Sequence, residues 1–497
     1  MTDEVLEAKG ERRSLKNEAI QSGVARMANQ GANLMLRVAY IAILARLLSP
    51  NDFGLVAMVV AITGLFDVFT TAGLSSATIQ KHEISFEEVS ALFWVNIAVG
   101  ISLTLLCAAS AHFISAFYHE PRLLWIAIAI APGFLLNAVG VQHAALLERD
   151  LRYVTLSAID TGGLCLGVAV GVLLGFQGFG YWALVAPTLI SPAINSLGFW
   201  IATGWIPGPP RRGVNIRSLL HFGGTVTLNS FVVYVGYNAE KVLLGRFWGA
   251  GPLGLYTRAF QLIGIPTSTI NSAVGAVLFS ALSRMQHDSA RLRNFYLKGY
   301  SIVISITVPI TMFSFVFAHE IITVVLGSQW AEAATIFRLL TPTILVFGII
   351  NPTFWLLIAT GKQKRSLYMA FAIAPLVIVS YCIGISFGPE GVAMSYSIAL
   401  VLWLYPHLIW SLHRTPISVG DLLRAIVRPW ISGMVASAGA LALQHYLGSE
   451  VSALARLLSG GVVLTGIYGF VLLFIFGQLN LFQDVLQSFR REARAGA

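Results

Sequence analysis

Residues 22–47 form a membrane-length hydrophobic stretch that carries Arg26, Gln30, Asn33, Arg37 and Tyr40 at spacings of 4, 3, 4 and 3. At about 100° per residue, these side chains share one face of a helix. Residues 218–243 carry a similar row of Thr227, Ser230, Tyr234, Asn238 and Lys241. Between and after these rows, 54–80 adds Thr63, Asp67 and Thr71, and 253–282 adds Arg258, Gln261 and Ser268. A charge at mid-membrane costs roughly 2.5 to 3.5 kcal/mol on insertion scales, so each such group is expected to face a partner or water. Four stretches with polar stripes predict one aqueous cavity, with arginines as the deep cations.

Each group also has a plainer reading. Arg26 lies near one end of its stretch and can snorkel to the headgroups instead. Arg37 and Asp67 lie deeper and can pair as a structural ion pair, which would not exclude a role in transport. Glu240 and Lys241 fall close to the outer interface, where solvation explains them. Asp160 is a lone acid in its stretch, and its role is left open. Histidines and carboxylates are otherwise scattered. No phosphate-binding loop, zinc spacing or nucleophile elbow occurs, so catalysis, cofactor and metal are not expected.

The elements that must position these groups follow from composition. Of 497 residues, 56% are hydrophobic and 11% charged, and mean hydropathy is +0.75. That is an integral-membrane composition. Fourteen hydrophobic runs of about 20 residues predict an all-α integral membrane protein. Pro187, Pro192, Pro266, Pro309, Pro342, Pro352 and Pro375 fall inside these runs, where they remove helix hydrogen bonds. Cys107, Cys165 and Cys382 are isolated within runs and read as buried small hydrophobes.

The net charge of +9 suggests nucleic acid, but its distribution argues against it. With the N-terminus in the cytoplasm, the inner turns collect Arg149, Arg152, Arg211, Arg212, Arg284, Arg291, Arg293, Lys362, Lys364 and Arg365. The outer turns hold only Arg46, Arg122, Lys241, Arg246 and Arg456. The positive-inside rule then puts both termini in the cytoplasm, with attraction to anionic membrane lipids as a by-product. Residues 1–21 lack the apolar core of a removable signal peptide.

A repeat organises the runs. Ala45-Arg46-Leu47-Leu48-Ser49-Pro50-Asn51-Asp52-Phe53-Gly54-Leu55 returns as Gly245-Arg246-Phe247-Trp248-Gly249-Ala250-Gly251-Pro252-Leu253-Gly254-Leu255, with Arg, Gly and Leu in register. The Pro/Gly-rich basic stretch 204–213 separates six runs from the next six, so the halves enter the membrane in the same orientation. The expected plan is a lobe over 1–203, a cytoplasmic linker over 204–216, a second six-helix lobe over 217–415, and two extra helices with a tail over 416–497.

Several motifs together resemble the bacterial polysaccharide transporter family, which includes Wzx-type flippases. They are Ala45 to Leu55, Gly73-Leu74-Ser75, Gly178-Phe179-Gly180-Tyr181-Trp182-Ala183-Leu184-Val185, Gly254-Leu255-Tyr256 with Arg258-Ala259, Leu282-Ser283-Arg284 and Gly327-Ser328-Gln329-Trp330. The resemblance covers roughly residues 20–415. It departs from the family at Glu240, where Asp is favoured.

The resemblance implies a MATE-like fold shared with drug exporters and lipid II flippases. It implies translocation of undecaprenyl-pyrophosphate-linked oligosaccharide across the inner membrane, with H+ or Na+ as coupling ion and polysaccharide polymerase and chain-length regulator as partners. The matching binding residues are Arg26, Arg37 and Arg258, with Gln30, Asn33 and Gln261 beside them; Asp67 and Glu240 are the candidate coupling or gating acids. A cationic lumen also suits a large anionic amphiphile on chemical grounds, because guanidinium groups bind phosphates bidentately. The alternative is a MATE-type cation/drug antiporter, which should favour acids in its cavity.

Overall fold

A computed structural model describes residues 35–36, 38–71, 78–79, 84–210, 217–285, 288–448 and 451–479. Every regular element among them is helical. The helices are α1 (Val38–Leu47), α2 (Pro50–Thr71), α3 (Phe86–Tyr118), α4 (Arg122–Ile130), α5 (Pro132–Arg149), α6 (Tyr153–Phe176), α7 (Trp182–Thr203), α8 (Arg217–Trp248) and α9 (Ala250–Arg284). They continue with α10 (Ser289–Val316), α11 (Ala318–Val325), α12 (Ala333–Leu340), α13 (Pro342–Ala359), α14 (Gln363–Gly384), α15 (Gly388–Leu412), α16 (Val419–Leu447) and α17 (Ala453–Phe470).

All fourteen expected runs fall on helix over their described residues, the first only at its end and the second over 54–71 and 78–79. Ten helical stretches among the described residues are long and apolar enough to cross a membrane. The long helices α8 and α9 carry the polar rows read from the sequence. The chain divides into two compact units, Met1–Gly254 and Leu255–Ala497.

In the first unit, helix starts are set by local chemistry. The repeat motif contains a reciprocal cap: Ser49 Oγ and backbone N–H both donate to Asp52 Oδ2, at 2.6 and 3.0 Å, and Asp52 N–H donates back to Ser49 Oγ. Pro50 follows at the first helical position, where its missing N–H has no cost. Ser85 and Glu88 cap α3 in the same way. Helices α6 and α7 pack closely because Gly163, Gly167, Gly171 and Gly175 present one side-chain-free line. Asn195, Ser191, Pro187 and Ala183 lie against it. Asp160 on α6 gains a partner in Asn195, whose amide donates to its Oδ1 at 3.2 Å.

Two of the prolines have a structural account. Pro187 has no N–H for the Ala183 carbonyl, and Tyr40 Oη donates to that oxygen at 3.3 Å. Tyr40 thus serves a helix break, although its spacing groups it with the lumen row. In the second unit Pro309 leaves the Ser305 carbonyl, and Tyr468 Oη donates to it at 2.8 Å.

The second unit packs α10, α13, α16 and α17 around Tyr300, Val308, Phe317, Leu356, Ala436 and Leu464. The buried carboxylate of Glu320 on α11 fastens the two extra helices. It accepts from Gln444 Nε2 on α16 at 3.1 Å and pairs with Arg456 on α17 at 3.5 Å. At another end of the unit, Asp421 caps α16 and pairs with Arg293 at 2.8 Å.

One expectation fails. Cys107 is buried, but Cys165 and Cys382 are exposed on their helices. In a membrane span, both the core and the lipid-facing side are apolar, so an isolated small residue does not reveal which it faces.

Candidate functional site

The polar row on α8 meets the backbone of α2 within the first unit. Tyr234 Oη donates to the carbonyls of Val60 and Ala61 at 3.0 and 3.3 Å. It lies over Gly64, where a Cβ would overlap the phenol. Asn238 Nδ2 then donates to the Tyr234 carbonyl at 2.9 Å, and Lys241 Nζ donates to Asn238 Oδ1 at 2.6 Å. The spacing of 4 and 3 along α8 is therefore a connected chain of hydrogen bonds. Asp67 lies one turn beyond Gly64 on α2 and is exposed.

Glu240 departs from its expected place. It is completely buried, and neither carboxylate oxygen has a hydrogen-bond partner among the described residues. Sequence position near a helix end argued for solvation at the outer interface. Burial of the side chain overrides that argument. The ammonium of the adjacent Lys241 donates to Asn238 Oδ1 rather than to the Glu240 carboxylate.

The duplicated motif also touches itself. A Cβ on Gly54 would overlap the Ala250 carbonyl, and one on Gly254 would overlap the Pro50 carbonyl. Pro50 and Ala250 are the first residues of α2 and α9 and are equivalent in the repeat. The glycines common to both copies are thus explained by reciprocal backbone contact between the two copies.

On α9, Arg258 is half-buried and Gln261 is exposed. Ser268 and Asn271 continue the exposed polar face toward the middle of the helix. Asn271 was missed in the sequence, although it follows Ser268 by three residues and continues the same row. Arg26, Gln30, Asn33 and Arg37 lie outside the described residues, so their geometry is not part of this site.

The polysaccharide biosynthesis protein family matches residues 43–335. The chain belongs to this family. WzxC, a lipopolysaccharide biosynthesis protein of Escherichia coli (strain K12), is 25% identical over 378 residues, covering 74% of this chain and 75% of its own. ExoT, a succinoglycan biosynthesis transport protein of Rhizobium meliloti (strain 1021), is 25% identical over 474 residues, covering 93% and 94%. Among solved structures, the lipid II flippase MurJ in an inward closed conformation matches with a TM-score of 0.74 at 15% identity. The match covers 94% of this chain and 100% of that one. At that identity the likeness establishes a shared fold.

Proposed function

We propose that this protein moves undecaprenyl-pyrophosphate-linked oligosaccharide repeat units across the bacterial inner membrane, by alternating access, for exopolysaccharide or lipopolysaccharide synthesis. The observation that carries this reading is the family match over 43–335, which joins the chain to relatives named for polysaccharide synthesis and transport. The exposed polar face of α9 supports it, since such a face inside a membrane-length helix calls for water rather than lipid. The MATE-type antiporter reading is weaker, because α9 contains no Asp or Glu.

In this reading, Arg26, Arg37, Arg258, Gln30, Asn33 and Gln261 are the residues that bind the pyrophosphate and acidic sugars. Asp67 and Glu240 are the coupling acids, with H+ or Na+ as the ion. Polysaccharide polymerase and chain-length regulator receive the product. The work is transport rather than catalysis.

Arg258 gives the test. Arg258→Lys keeps the charge but loses the planar fork, so export should fall; Arg258→Ala should nearly abolish it. The measurement is complementation of polymer export by variants matched for membrane abundance. Full export by Arg258→Ala would remove Arg258 from the site.

We also infer that both termini are cytoplasmic, from the distribution of basic residues. His119 lies in the turn between α3 and α4, and Lys364 at the start of α14; both are exposed. Single cysteines there should react with an impermeant maleimide from the outer side at 119 and only after permeabilisation at 364. Reaction at 364 in intact spheroplasts would contradict the fourteen-span order.

A further inference from the structure

Within the second unit, α9, α10 and α13 enclose a cleft of about 220 Å³, counting its open mouth. Its lining includes Thr267 and Asn271 from α9, Thr307 from α10, and Gly348, Asn351 and Trp355 from α13. The inner space has room for one group about the size of a water. Thr307 is fully buried at the base, Trp355 is buried in the wall, Asn351 is half-buried and Asn271 is exposed at the mouth. The cleft therefore runs inward from the polar face of α9.

The hydrogen bonding of this lining is incomplete. Thr267 and Thr307 donate to carbonyls of their own helices, Ile263 and Val303. Neither the Asn271 amide, the Asn351 amide nor the Trp355 indole N–H has a hydrogen-bond partner among the described residues. Pro352 has no N–H to offer the Gly348 carbonyl, so the helix also withholds one bond at the cleft wall. Trp355 is held in place: its indole lies against the Gly275 backbone, where a Cβ would come within 2.8 Å of Cζ2. Two amides and one firmly packed indole N–H thus have unused capacity, among the described residues, beside a space of one-water size.

We propose that this cleft receives a hydroxyl-bearing edge of an uncharged sugar in the transported substrate, an assignment that rests on the lipid-linked oligosaccharide reading. The chemistry of the lining separates this from other occupants. An amide both donates and accepts, and the indole only donates, so the set matches a hydroxyl, which also does both. A bare cation would use acceptors alone, and the indole N–H would oppose it. A phosphate would call for a cation, and no charged residue lines the cleft. The indole ring supplies an apolar wall for the C–H face of a sugar. The space admits one hydroxyl or hydroxymethyl group rather than a whole ring, so the cleft reads one edge of the substrate while the rest stays in the wider lumen.

The test uses the full chain in nanodiscs, titrated with two probes: undecaprenyl pyrophosphate, and the lipid-linked repeat unit extracted from cells that export its polymer. The near-isosteric pair Asn271→Leu with Asn351→Leu should weaken the sugar-bearing lipid about tenfold or more, the loss of roughly two hydrogen bonds, and leave the bare lipid unchanged. Trp355→Phe keeps the packing and removes only the N–H. It should give a smaller loss in the same direction, and it serves if the double variant does not accumulate. Equal losses for both lipids, or no loss for the sugar-bearing one, overturns the proposal. Wild-type protein that binds neither lipid removes the substrate reading and this proposal with it. A sodium-dependent rise in melting temperature that the double variant abolishes, with lipid binding intact, would assign the cleft to a cation instead.

Discussion

Glu240→Gln should leave the protein at normal abundance in the membrane and reduce polymer export by about tenfold or more. Glutamine nearly matches the buried volume. Neither carboxylate oxygen has a hydrogen bond to lose among the described residues, so the swap breaks no hydrogen bond there. A buried carboxyl without a partner is expensive to keep, and removing the ability to ionise is often neutral or stabilising where the group is only structural. A buried carboxyl of this kind suits a step in which it takes up or gives up an ion as its surroundings open. Asp67→Asn, on the exposed side of α2, should also lower export but by less, because its carboxylate is already accessible. Sequence position alone ranked these two in the opposite order, and the burial of Glu240 reverses it. Abundance-matched export assays on both variants decide the matter; normal export by Glu240→Gln would make Glu240 a passive core residue.

Gly54→Leu and Gly254→Leu should each deplete the protein from the membrane. At each site the first added atom meets a backbone carbonyl rather than a movable side chain, so helices α2 and α9 must separate where they begin. Overpacking of this kind costs about 1 to 3 kcal/mol even where neighbours can yield, and carbonyls held in helices yield less. The two sites share one contact, so Gly54→Ala and Gly254→Ala should be less than additive when combined. Melting temperatures of the purified single and double alanine variants in detergent test this. Strict additivity, or unchanged melting in both singles, would mean that the reciprocal contact is not made.

Much of this arrangement is visible in the sequence because membrane solvation leaves a periodic record. Helix positions follow from apolar length, and the rows on 218–243 and 253–282 announce polar faces because lipid would not tolerate them. The hydrogen-bonded line Tyr234, Asn238 and Lys241 is that record read out in atoms. Other features depend on which neighbour a residue meets, and spacing does not contain that. Tyr40 looks like a member of a polar row and instead supports the carbonyl left by Pro187, 143 residues away in sequence. Glu240 looks solvated by its place near a helix end and is enclosed by packing. Gly54 and Gly254 were recognisable as a repeat, but their reason is the contact between the copies. Asn351 gave no periodic signal, since its neighbours on α13 are apolar; only the convergence of three helices brings it beside Asn271.

The central claim is translocation of a lipid-linked oligosaccharide, and the most direct measurement is the leaflet in which that lipid resides. Spheroplasts of the producing cell, with and without the protein, are treated with a membrane-impermeant periodate-type oxidant, and the lipid-linked repeat unit is then extracted and assayed for oxidised sugar. With the protein present, newly made repeat units should become oxidised as they appear outside; on depletion they should accumulate unoxidised, and Arg258→Ala should resemble depletion. Repeat units that reach the oxidant at an unchanged rate in cells lacking the protein, with polymer export continuing, would contradict the account.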